Sequence, residues 1–180
     1  MIIDKYMFVK GEGPYNMDVF ECIKSRKSVR CYSKRKVENE KIDIIIEAAI
    51  CAPSGKNGQP WRFKIIQEHT EIVKLCDLCD SEKWISRAEV IILVFIDKAY
   101  SYDYIKDMQS CGAAIQNMLL TAHNFGIGAC WVGSVVNSAQ DIKELLNISD
   151  GLELVGMVAL GYEAMKTERA MRKAYETFLL

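Results

Sequence analysis

The sequence predicts an α+β domain built on one sheet, and three observations carry that expectation. Val90 to Ile96 is an unbroken apolar run, the pattern of a strand covered on both faces. Met108 to Phe125 is apolar nearly all round and is followed by Gly126, which marks a central buried helix ending at a glycine cap. Around these two segments helical and strand-like stretches are mixed, with helices outnumbering strands.

In chain order, residues 1–17 have no clear period, contain Gly11, Gly13 and Pro14, and read as an N-terminal extension. Residues 18–180 hold no repeat, low-complexity tract or linker and read as a single domain. A short helix follows Asp18, a cap residue, and runs to about Lys24. Asn39 can cap the next helix, where Ile42, Ile45, Ile46, Ala49 and Ile50 recur at helical spacing. Trp61 to Gln67 reads as a strand, and Thr70 to about Leu78 as a helix with a threonine cap. Ala129 to Val136 reads as a strand. Ser138 with Asp141 resembles a capping box for a helix carrying Ile142, Leu145 and Leu146. Leu154 to Leu160 makes a further strand, and the polar, basic tail ends in Tyr175, Phe178, Leu179 and Leu180.

A chain of 180 residues, half of them apolar, can bury a sizeable core. The net charge of −1 argues against a nucleic-acid partner, and no apolar run approaches the roughly 20 residues of a membrane span. Asp4 and Lys5 interrupt any signal-like start, so a cytoplasmic location is expected. The 7 cysteines then read as reduced thiols. Cys76 and Cys79 form a C-x-x-C with no second pair and only 2 histidines in the chain, which favours buried filler over a metal or redox pair.

Three stretches carry candidate chemistry. In Ala52-Pro53-Ser54-Gly55-Lys56-Asn57-Gly58-Gln59-Pro60-Trp61, prolines fix φ on either side of a turn in which Asn57 and Gln59 present amide donors and acceptors in one plane. Such amides suit the mixed edge of a heteroaromatic ring. Upstream, Arg26, Lys27, Ser28 and Arg30 form a cationic cluster fit for a phosphate. Together they suggest a flavin mononucleotide (FMN) site. The third stretch runs from Gly112-Ala113-Ala114-Ile115-Gln116-Asn117 to Gly126-Ile127-Gly128-Ala129-Cys130-Trp131-Val132-Gly133. Its small residues permit close approach of a backbone or flat ring. Its Gly-x-Gly follows a helix and lacks a third glycine, so it is no dinucleotide fingerprint.

These segments resemble the nitroreductase family. Arg26-Lys27-Ser28-Val29-Arg30 is similar to its Arg-x-Ser-x-Arg signature, and the stretch from Ala52 to Trp61 to its Ala-Pro-Ser-x-x-Asn-x-Gln-Pro-Trp segment. Gly112 to Asn117, Trp131-Val132-Gly133, and Gly161-Tyr162 with Arg169 and Arg172 beyond it complete the likeness. The resemblance implies a central mixed β-sheet flanked by helices, and a homodimer with the C-terminal tail exchanged onto the partner. It implies FMN as cofactor, with Arg26, Ser28 and Arg172 (or Arg169) on the phosphate and Lys27 nearby. Arg30 is expected at the N1–C2=O edge and Lys83 near O2. The Val132-Gly133 backbone, next to Trp131, is expected at N5; Pro53, Ser54 and Asn57 reach the flavin from the partner, and Gln59 is also expected to bind the cofactor. NADH or NADPH is the implied donor, and nitroaromatics, quinones or a related small molecule the acceptor. Two alternatives stay open: an FMN-binding redox sensor or store, and a flavin enzyme of the same fold with other chemistry, such as reductive dehalogenation or flavin fragmentation. The chain lacks the family's longer insertion, leaving about Asp97 to Gln109, with Tyr100, Tyr102 and Tyr104, as a short lid. Cys111 stands where Asp is common, and Glu163 where Pro is common.

Overall fold

The computed structural model describes residues 17–79 and 83–180, so the expected extension lies, Met17 apart, outside the described residues. Asp18 caps α1 (Val19–Ser25), its carboxylate accepting from the amides of Phe20 and Glu21. Next come α2 (Asn39–Ile50), β1 (Trp61–Ile66), α3 (His69–Asp77) and β2 (Val90–Asp97). They are followed by α4 (Tyr104–Asn124), β3 (Gly128–Val132), α5 (Ala139–Leu145) and β4 (Leu152–Gly161).

Several ends differ from the sequence expectation, each for a local reason. Asn39 does not cap α2; Glu38 holds the cap position, and Asn39 Oδ1 instead accepts from Gln67 Nε2 at 2.9 Å. Thr70 lies inside α3. Helix α4 starts at Tyr104, earlier than expected, because the Asp103 carboxylate accepts from the Lys106 amide at 3.1 Å. Strand β3 stops at Val132, since Gly133 takes helical angles (φ −80, ψ −31) and leads into the 3₁₀ turn Ser134–Ser138. The Ser138 capping box does not form, because its hydroxyl donates to the Leu78 carbonyl.

The sheet order is β1-β2-β4-β3, and all three ladders are antiparallel. A mixed sheet was expected; among these strands there is no parallel ladder, and the parallel component is the single bridge of Ser28 to Ala129. The continuous apolar run of β2 is explained by coverage on both faces. Ile92, Val94 and Ile96 pack with Ile42, Ile45, Ile115 and Met118 of α2 and α4. Ile91, Leu93 and Phe95 pack with Ile72, Leu75, Ile85 and Ile142 on the other face. Asn117, an amide in an apolar helix, finds its partner in the Ala48 carbonyl at 2.9 Å, tying α4 to α2. Cys76, Cys79 and Cys111 are buried among these side chains, and burial, with Asp107 adding, pushes the Cys111 thiol up to about 12.

The chain after α1 crosses the start of β3 and the end of β4 closely. A Cβ on Gly128 would lie 2.7 Å from Val29 Cγ1, and one on Gly161 2.9 Å from the Tyr32 side chain, so neither strand end tolerates a larger residue. Just beyond, the Tyr162 hydroxyl donates to Glu38 Oε2 at 2.7 Å and accepts from Lys41 Nζ at 2.7 Å, joining β4 to the start of α2.

The Tyr162 hydrogen bond, with smaller help from Arg35 and Lys41, draws the Glu38 carboxyl down from 4.5 to about 2. A depressed folded pKa stabilises the fold above the unfolded value and loses that contribution as pH falls. Melts of wild type and Glu38→Gln should therefore differ most above about pH 4.5, with the gap closing toward about pH 2. A gap that stays constant across this range would contradict the assignment.

Candidate functional site

The segment after α1 is laid along the outer edge of β3. The Val29 amide donates to the Ala129 carbonyl at 3.0 Å, beside the Ser28–Ala129 bridge. Ser25 Oγ donates to the Glu21 carbonyl at 2.6 Å and meets Nε2 of His123 at 2.8 Å, fixing the helix end from which Arg26 emerges. Burial first, then Arg26 and Lys27, lowers the pKa of His123, in keeping with a structural role.

The structure brings Arg26, Arg169 and Arg172 together. Burial is the largest cause lowering the Arg26 pKa, and repulsion from Arg172 and Arg169 comes next. A guanidinium so placed favours a bound anion. Lys27 belongs elsewhere: its Nζ pairs with Glu163 at 3.0 Å and donates to the Thr167 carbonyl at 2.8 Å. Arg30 is exposed, with its guanidinium 5.8 Å from the centre of the Trp84 ring, which tilts against Tyr32 at 6.2 Å. Lys83, also exposed, opens the 3₁₀ turn Lys83–Arg87 that carries Trp84. Trp84 was not picked out from the sequence; nothing in its local pattern marks it, since only the fold sets it beside Arg30.

The far end of β3 carries Trp131, Val132 and Gly133. Trp131, 42% exposed, fills the space over two glycines. A Cβ on Gly156 would lie 2.8 Å from its Nε1, and one on Gly112 3.6 Å from its ring. The contact at Gly112 is an ordinary van der Waals distance, so it is Gly156, and not Gly112, whose missing side chain admits the Trp131 ring. A Cβ on Gly133 would meet nothing within 4 Å, so the surface beyond that backbone is open.

The loop before β1 is strained. Lys56, Asn57 and Gln59 have φ of 52, 56 and 47, a region costly for side chains other than glycine. Hydrogen bonds hold it there. The Asn57 amide donates to the Ser54 carbonyl at 3.0 Å, the Gln59 amide to Ser54 Oγ at 3.1 Å, and Gln59 Nε2 to the Asn57 carbonyl at 3.2 Å. Pro53, Ser54 and Gly55 wall one side of a cleft of about 330 Å³, and Lys106, Gln109, Ser110 and Ala113 of α4 the other.

The lid is shorter than the expected 97–109, because α4 takes its second half. Each tyrosine has a partner: the Arg62 guanidinium lies 4.6 Å from the Tyr100 ring centre, and Tyr102 has Lys56 and Lys106 at 4.1 and 4.9 Å. A hydrogen bond with Glu153 raises the pKa of Tyr104. Buried Asp107 organises the turn, its Oδ2 accepting from Ser101 Oγ (2.8 Å) and the amides of Tyr102 (2.9 Å) and Asp103 (3.2 Å).

The candidate residues therefore fall into two groups, at opposite edges of one sheet. Loop 53–59 leads into β1, one edge; Arg26–Arg30 and Gly133 belong to β3, the other. Three strand spacings, about 14 Å, separate the edges.

A family model described as "Nitroreductase family" matches residues 23–82 and 77–162. The chain belongs to the nitroreductase family. It is 34% identical over 164 residues to a provisionally named NADH dehydrogenase/NAD(P)H nitroreductase of Archaeoglobus fulgidus, covering 88% of this chain and 93% of the relative. A second relative of the same name, from Methanothermobacter thermautotrophicus, is 34% identical over 150 residues, covering 82% of this chain and 78% of the relative. Among solved structures, a provisionally named nitroreductase of Desulfovibrio desulfuricans in complex with FMN superposes with a TM-score of 0.86 at 35% identity, covering 92% of this chain and 97% of that one. The nitroreductase fold is thus the fold of this chain.

Replacing Asp107 with Ala leaves two amides and a hydroxyl without their shared acceptor. The loss should be about 3 kcal/mol, or roughly 6–12 °C in melting temperature for a chain of this size. Calorimetry on the variant checks this; a shift below about 2 °C would show that the turn is held by other means.

Proposed function

We propose that this nitroreductase-family chain is an FMN-dependent oxidoreductase that takes hydride from NADH or NADPH and reduces a nitroaromatic, quinone or related small acceptor in a ping-pong cycle. The observation that carries the reading is the placement of Arg26, at the end of α1 and beside the outer edge of β3, within electrostatic reach of Arg172 and Arg169. From the bridge at Ala129 to Gly133 is four strand residues, about 13 Å, with open surface at the end. That arrangement fits an elongated cofactor with one terminal phosphate and a ring at the other end. Bound there, FMN would supply the hydride chemistry, and the protein position and charge.

In this reading Arg26, Ser28, Arg169 and Arg172 hold the phosphate. Arg30 and Lys83 bring positive charge to the ring's N1–C2=O side, where reduction builds negative charge. The Gly133 amide, with the Val132 backbone beside it, faces the reacting edge, while Trp131 closes the space between α4 and β4. Lys27 sits in the second rank, occupied by Glu163.

The same reading requires a homodimer. Pro53, Ser54, Asn57 and Gln59 lie at the wrong edge to meet their own chain's Arg26, and a partner's edge supplies the match. The tail exposes Met171, Tyr175, Phe178, Leu179 and Leu180, apolar surface that suits exchange onto that partner.

Purified protein should be yellow and release FMN, not FAD, on denaturation. By flavin fluorescence titration, Arg26→Ala should weaken FMN binding by about tenfold or more, because charge-assisted contacts to phosphate are worth about 1.5–3 kcal/mol. Lys27→Ala should cost clearly less. A colourless preparation that takes up no FMN would sink the reading. Oxidation of NADH or NADPH that accelerates with a quinone or nitroaromatic separates the enzyme from a flavin store. Product analysis under oxygen exposes other flavin chemistry.

Light scattering should give a dimer. Truncation after Gly161, which removes Arg169, Arg172 and the apolar tail, should abolish flavin retention. A full-length monomer that still holds FMN would refute the shared site.

A further inference from the structure

Glu163 stands where the family commonly has Pro, and it is the hub of the contacts that start the C-terminal tail. The segment is laid down by two backbone hydrogen bonds, the Ser33 amide to the Tyr162 carbonyl at 2.7 Å and the Ala164 amide to the Cys31 carbonyl at 3.0 Å, which together make the antiparallel bridge of Tyr32 to Glu163. Glu163 Oε1 then accepts from the Thr167 amide and pairs with Lys27 Nζ at 3.0 Å. Lys27 Nζ in turn donates to the Thr167 carbonyl at 2.8 Å. Lys27 and Glu163 are 20% and 26% exposed in their side chains, so this triangle is largely shielded from solvent. Thr167 is the last described residue hydrogen-bonded to the body of the fold before Arg169 and Arg172. Beyond it, the tail's hydrogen bonds are local: Arg172 to the Ala170 carbonyl, and the amides of Thr177 and Leu179 to the carbonyls of Ala174 and Glu176.

We propose that Lys27 and Glu163 form a latch that positions the tail so that Arg169 and Arg172 face Arg26. Without an anion the positive charges of Arg172 and Arg169 oppose that of Arg26. An attachment upstream is needed to hold them together, and Lys27, the residue next to Arg26, provides it. Lys27 and Glu163 are positioning residues: neither touches the anion, and both act through the arginines. The proposal rests on the phosphate reading of the arginines given above. Latch and anion should favour each other reciprocally, since each stabilises the same tail placement.

The test is a set of variants of the full-length protein, read by FMN titration and by tryptic cleavage after Lys166, Arg169 or Arg172 in the absence of flavin. Glu163→Gln and Lys27→Met should each raise the FMN Kd about fivefold, and the double variant should be no worse than either alone. Lys27→Arg, which keeps the charge, should retain wild-type affinity. Glu163→Gln should have little effect in an Arg169→Ala/Arg172→Ala background, where there is nothing left to position. Flavin-free Glu163→Gln should be cut faster in the tail than wild type. Unchanged affinity and cleavage in Glu163→Gln would overturn the latch. So would a Glu163→Gln effect that persists undiminished without the two arginines. If the wild type takes up no FMN, the phosphate reading fails, and the cleavage rates still decide whether the pair holds the tail.

Discussion

The constraint on which this structure depends is that its sheet is covered on both faces. Strand β2 buries side chains on each side, against α2 and α4 on one and against α3, the 83–87 turn and α5 on the other. A sheet sandwiched in this way offers a ligand neither face. Only its edges and strand ends are open, and, Lys83 apart, the candidate functional groups are found there: the guanidinium group and Gly133 along β3, and the amide-bearing loop before β1. The proposed division of the site between two edges follows from the packing that stabilises the core.

The strand ends are shaped by close approach of backbones. Val29 and Tyr32 pack where Gly128 and Gly161 lack side chains, which lets residues 28–33 cross the sheet end in contact. That crossing sets Arg26 and Ser28 beside β3 and meets the tail at Glu163. The Tyr162–Glu38–Lys41 group ties the same corner to α2. Packing and charge placement are therefore one problem at this corner: moving either strand end would move the arginines.

Much of this was legible in the sequence where a single strong periodicity or cap decides the matter. The β2 run, the central helix, Asp18 as a cap and the Arg26–Arg30 segment were all readable, because burial and charge there are local in their expression. Helix boundaries were less so. Asn39 and Ser138 are good cap residues whose side chains were drawn to Gln67 and Leu78, partners brought near only by the fold. The start of α4 was missed because Asp103 and Asp107 look like solvated charges until the turn folds around a buried carboxylate. Trp84 against Arg30, and Lys27 turned toward Glu163, join residues whose proximity no local spacing encodes.

The left-handed backbone at Lys56, Asn57 and Gln59 has a consequence for how a guest would be received. A segment already held in an uncommon conformation by its own hydrogen bonds has little freedom left to lose. Association with such a surface gives up less chain entropy than ordering a floppy one. The energetic debt of the awkward backbone is met once, during folding, and not again at each encounter.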